Sequence, residues 1–183
     1  MASLPRALEG AERLDAVARR IERVAATVVP VGPIRRVLRG EWLGHSLHPL
    51  LTDLPIGFWT SASLLDVIGG TQTRPAATAL VGLGVVSAVP TVASGLAEFT
   101  TLERPDRRVA VVHAAANAIA TGLYASSWLA RRRGQHRAGV ALGMCAAGAA
   151  TVGGYLGGHL AFASGGDHPA AQRPATERDT RAA

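Results

Sequence analysis

The sequence predicts an all-α integral membrane protein, an antiparallel four-helix bundle preceded by an amphipathic helix. Three observations predict it. Charged residues crowd into the first 41 positions, the last 17 and a few short connections, and the stretches between are rich in Ala, Val, Leu and Gly. Four of those stretches reach the ~20 residues that a helix needs to cross a bilayer. The connections between them, GGTQTRP, TTLERPDRR and RRRGQHR, are short enough to make successive helices antiparallel neighbours.

Residues 1–44 form the first region, cytoplasmic or interfacial. Leu14, Val17, Ile21, Val24 and Val28 recur at spacings of three and four, so residues 6–28 are expected to form a helix with one apolar stripe. That stripe suits either a membrane surface or another helix. Pro30 and Pro33 stop the helix. In residues 34–44, Ile34, Val37, Leu38 and Trp42 share a face and Arg35, Arg36 and Arg39 oppose it, a second interfacial piece with a Trp at headgroup level. Residues 1–27 are charged throughout and contain no continuous apolar core, so no signal peptide is expected.

The membrane domain follows at 45–163, with spans at about 49–68, 76–97, 109–130 and 138–163. Pro90 inside the second span is compatible with a membrane helix, because neighbouring helices can satisfy the freed backbone group. Pro55 is expected to kink the first. Gly139–Gly143, Gly153–Gly157 and Gly154–Gly158 have the spacing that lets membrane helices approach closely. Residues 164–183, rich in Gly, Asp, Pro, Thr and Arg, read as a disordered tail.

All nineteen basic residues are arginine, and the formal net charge is +6. These arginines flank apolar spans and lack interleaved aromatics, which points to a bilayer with anionic headgroups and away from nucleic acid. Fourteen of the nineteen lie in the N-terminal region, the loop at 98–108 and the tail, so the expected orientation puts both termini in the cytoplasm. The single cysteine, Cys145, excludes an intrachain disulfide. No nucleophile–base–orienter pattern is readable, so no catalytic residue is assigned and no catalytic activity of the chain on its own is expected.

Topology then gathers the polar residues. His45 and His48 precede the first span, Glu98 ends the second, His113 opens the third and His159 closes the fourth. In an antiparallel bundle these positions meet at one membrane face, the cytoplasmic one by the arginine argument. Asp53 and Asn117 sit one turn deeper, and His113 and Asn117 share a face at i,i+4. Asp66 belongs to the opposite end. Imidazoles on facing helices can ligate haem b or a transition metal, with His48, His113 and His159 as the expected ligands, His45 and Glu98 in reserve, and Asp53 and Asn117 orienting the rings. Helix capping and hydrogen bonding across the bundle account for the same residues equally simply, and no spacing matches an HExxH or CxxC motif. His136 and His168 read as solvated.

The segment HPLLTDLPIGFWTSASLLD, followed by GLGVVSAVPTVASGLAEF, VHAAANAIATGLYASSWLARR and GGYLGGHLAF, resembles a bacterial membrane family known as domain of unknown function 2231. The resemblance covers about residues 42–163 and implies a four-helix integral membrane domain of the cell membrane. Some members of that family carry a Rieske iron–sulfur domain after the membrane part, which implies electron transfer. The tail here holds no CxH pair, so a redox role would need a separate partner protein. Three readings stay open: a haem- or metal-binding electron-transfer subunit, a non-redox structural or interaction protein, and a small transporter or proton-relay element using Asp53, Asp66 and the histidines. The last would enclose a path most readily as a homo-oligomer.

Overall fold

The computed structural model describes residues 4–163, and every regular element among them is a helix. The tail reading, with His168, lies outside the described residues. In the N-terminal region α1 (Leu4–Glu9) and α2 (Asp15–Val28) are separated by a break at Gly10 and a single tight turn, where one continuous helix was expected. Glycine is a poor helix former, and this break lets the two pieces lie at an angle. A short α3 (Pro33–Leu38) follows, with Pro33 at its first turn, where a missing N–H costs nothing.

Four long helices follow among the described residues: α4 (Leu47–Ile68), α5 (Arg74–Phe99), α6 (Arg104–Arg132) and α7 (His136–Ala163). Among the described residues, the segments Thr71–Phe99, Arg104–Arg132 and His136–Phe162 are long and apolar enough to cross a membrane. At 22 residues α4 has the length, but His48, Thr52, Asp53, Thr60, Ser61, Ser63 and Asp66 keep it below that apolarity. Helices also reach into the expected connections, with Arg74 opening α5 and Arg104 opening α6. Residues 131–132 continue α6 and were expected in a loop, and only three residues, with Gly134 at φ 77°, turn the chain into α7.

α4 packs on α5, α6 on α7, α5 on α6 and α4 on α7. Between them lies a core of Trp59, Ala62, Val81, Ala88, Tyr124 and Ala146. Trp59 and Tyr124 stack with ring centroids 4.1 Å apart and planes 12° apart. The Trp59 indole N–H finds the Val81 carbonyl at 3.3 Å, so its polar atom is not stranded.

Glycines on α5 and α7 act as sockets for the large side chains of α4 and α6. Gly84 faces Trp59 and Gly95 faces His48, while Gly157, Gly153 and Gly139 face His113, Asn117 and Arg131. As α6 advances from 113 through 117 to 131, the socket on α7 retreats from 157 through 153 to 139. Small residues are therefore placed where a polar or aromatic group must come close to a neighbouring backbone.

The N-terminal helices dock on this domain. Leu14, Ala18 and Ile21 pack against Phe99, Ala110, Val111 and Leu160. Val17, Val24 and Val28, members of the same sequence stripe, face outward. Arg108 fixes the dock: its guanidinium donates to both carboxylate oxygens of Asp15, at 2.7 and 3.0 Å, and to the Glu9 carbonyl at 2.6 Å. The hydrogen bond from Arg108 is the largest influence on the Asp15 carboxyl and holds it below its ordinary pKa.

Candidate functional site

Of the polar residues expected to converge, His48, His113 and Asn117 lie together. His48, in the first turn of α4, donates from Nδ1 to the Thr91 carbonyl of α5 at 2.9 Å. His113 of α6 donates from Nδ1 to the Gly153 carbonyl of α7 at 2.9 Å. Each ring is thus tied through Nδ1 to the helix beside its own, which leaves Nε2 as the acceptor nitrogen of the neutral imidazole. The two rings meet edge to face, with centroids 6.1 Å apart and planes at 82°.

Glycine sockets make this closeness possible. A Cβ on Gly95 would stand 2.9 Å from Cε1 of His48, and one on Gly157 would stand 2.8 Å from Cε1 of His113. Asn117, one turn below His113, donates to the His113 carbonyl at 3.0 Å, and its Nδ2 lies 3.2 Å from His113 Nε2. Thr91 ties α5 to α4 again, its hydroxyl donating to the Leu51 carbonyl at 3.1 Å.

The other expected residues divide. His159 Nε2 lies 3.0 Å from a carboxylate oxygen of Glu9, so it joins α7 to the N-terminal helix. Glu98 accepts a hydrogen bond from the Ser46 hydroxyl, closing the entrance to α4 onto the end of α5. His45 is exposed, with Nδ1 3.1 Å from the neighbouring Ser46 carbonyl. Asp53 is exposed on the outer face of α4, and the ring-orienting acceptors are the Thr91 and Gly153 carbonyls. No group of three or more His, Cys, Asp or Glu side chains among the described residues is placed to hold a metal ion.

Residues 44–168 match the predicted membrane protein family DUF2231. The chain belongs to that family. No curated protein and no solved structure matches it. With three helices apolar enough to cross a bilayer, this DUF2231 protein is a multi-pass membrane protein.

At the opposite end of the DUF2231 domain lies a polar contact that sequence reasoning missed. Asp66, near the end of α4, accepts from both terminal nitrogens of Arg131, near the end of α6, at 2.8 and 2.5 Å. The Arg131 Nε donates to the Ser127 hydroxyl at 3.2 Å, which donates in turn to the Gly139 carbonyl at 2.6 Å. Side-chain exposure is 1% for Arg131 and 4% for Asp66, so both charges are withdrawn from solvent and satisfied by each other. Arg131 extends the buried row of Ala120, Tyr124 and Ser127 along α6, a periodic signal that its basic neighbours Arg132 and Arg133 obscure.

Proposed function

We propose that α4 completes an antiparallel four-helix bundle and that His48 and His113 would hold a b-type haem, making the protein an electron-transfer subunit. The observation that carries this reading is the pair itself: two imidazoles on different helices, each with Nδ1–H engaged by a backbone carbonyl, which leaves Nε2 as the nitrogen able to ligate. Ligating histidines almost always have their second nitrogen held in this way. Two protein ligands are fewer than the three or four that a zinc-type site uses, whereas haem supplies its own nitrogens and takes axial side chains.

The spacing supports the same reading. The ring centroids are 6.1 Å apart, so both imidazoles stand within reach of a single centre, which they would hold through Nε2. The haem would supply one-electron chemistry. The chain would fix both tautomers through Thr91 and Gly153, keep the rings in place through Gly95 and Gly157, and exclude water with the apolar core below. The arginine distribution favours a position near the cytoplasmic face, where a separate redox protein would exchange electrons.

One observation favours a second, non-redox reading. The Asn117 amide lies within hydrogen-bond reach of His113 Nε2, and a donation there would occupy the lone pair. The histidines would then be a packing network, and the exposed Val17, Val24 and Val28 of α2 would recruit a partner. The transport reading has less support, because Asp66 is closed on Arg131 and Asp53 faces away from the rings. The redox difference spectrum of full-length protein purified from haem-supplied cells separates these readings. A Soret band that sharpens and shifts on reduction is expected, and a protein with no Soret band overturns the haem assignment.

A further inference from the structure

A cleft of about 390 Å³ opens at the end of the molecule away from the His48–His113 pair, between the turn after α4 and the starts of α5 and α7. Arg74, His136 and Arg137 line it, with Asp66 and Gly70. Asp66 is already neutralised by Arg131, at 2.5 Å. Its contact with His136 is a looser 3.9 Å. Arg74 and Arg137 have no carboxylate within ion-pair distance among the described residues. Two guanidinium groups and an imidazole thus face one concavity whose sole carboxylate is taken.

From this cleft we infer a binding site for a phosphate group. Guanidinium forks match the paired oxygens of a phosphate, and two of them on separate helices can grip one anion from two sides. The starts of α5 and α7 add the positive ends of their dipoles. Placement narrows the source. Two apolar spans begin here and a third ends here, so the cleft lies where spans meet water, at headgroup depth. A phospholipid headgroup therefore reaches it from the bilayer, and inorganic phosphate reaches it from solution.

The test uses full-length protein in a neutral detergent, with thermal unfolding followed as dihexanoyl phosphatidylglycerol, a neutral diacylglycerol of the same chain length, or inorganic phosphate is added. Arg74→Gln with Arg137→Gln is the test variant, and Arg133→Gln, outside the cleft, is the control. Phosphatidylglycerol is expected to raise the wild-type midpoint, with at least a tenfold weaker half-saturation in the double variant and less than a twofold change in Arg133→Gln. A similar rise with phosphate alone assigns the site to the free anion, and a rise with the lipid alone assigns it to the headgroup. No rise with either, an equal rise with diacylglycerol, or equal weakening in Arg133→Gln overturns the inference. Native mass spectrometry of the double variant, counting retained phosphatidylglycerol, decides the case in which that variant unfolds too early to titrate.

Discussion

Asp66 and Arg131, 65 residues apart in the chain, close a bidentate ion pair between the ends of α4 and α6 with almost no solvent contact. An isolated buried charge is far costlier than a buried pair, so the two residues are coupled more strongly than either is stabilising. Asp66→Asn or Arg131→Gln alone is expected to destabilise the protein by about 3–5 kcal/mol. Replacing both, as Asp66→Leu with Arg131→Met, is expected to restore most of that loss. A double-mutant cycle on reversible unfolding measures the coupling, and additive single effects would show that the pair does not form.

The glycine sockets give a sharper contrast, because neighbouring positions differ. Gly157 faces the His113 ring, whereas nothing stands within 4 Å of a Cβ at Gly158. Gly157→Ala should cost about 1–3 kcal/mol through overpacking. Gly158→Ala should be neutral or stabilise by up to about 1 kcal/mol, as alanine does inside a helix. Thermal midpoints of the two variants, measured side by side, check the assignment of faces on α7.

Docking of the N-terminal helices depends on Asp15 being ionised. Its carboxyl is held below the ordinary value chiefly by the Arg108 hydrogen bond. A folded-state pKa below the unfolded one means that the contribution is fully present above the unfolded value and is lost as pH falls through the folded one. Protection of residues 1–28 from protease should therefore be constant through neutral pH and fall only in strong acid. Arg108→Gln should remove that protection at every pH, and a variant protected like the wild type would show that the apolar contact of Leu14, Ala18 and Ile21 suffices.

Orientation is testable by labelling single cysteines in a Cys145→Ala background. Thr71 and Gln135, both exposed, lie beside the arginine cleft, and Glu103, also exposed, lies at the histidine end. With both termini cytoplasmic, cysteines at 71 and 135 react with an impermeant reagent in whole cells and one at 103 reacts only after lysis. The opposite pattern would place the histidine pair at the outer face.

Much of this architecture was legible before any coordinates. Hydropathy marks α5, α6 and α7, and connection length brings His48 and His113 to the same end. Other features carried no sequence signal. Thr91 and Gly153 act through backbone carbonyls, which every residue possesses, so nothing in their identity marks them as ring acceptors. Glu9 and His159 are 150 residues apart, and their contact depends on where α1 docks. Arg131 was hidden by residue type, since a run of three arginines after an apolar span reads as a headgroup anchor, although the first of them is still on the buried face of the helix.

His48 and His113 face each other, whereas His159 contacts Glu9. Haem content per protein, measured for His48→Ala, His113→Ala and His159→Ala beside the wild type and normalised to folded material, tests the haem assignment most directly. A wild-type ratio near one is expected, with loss of most haem from the first two variants and retention in His159→Ala. A wild type without haem after supplementation, or full retention in His48→Ala and His113→Ala, would contradict it.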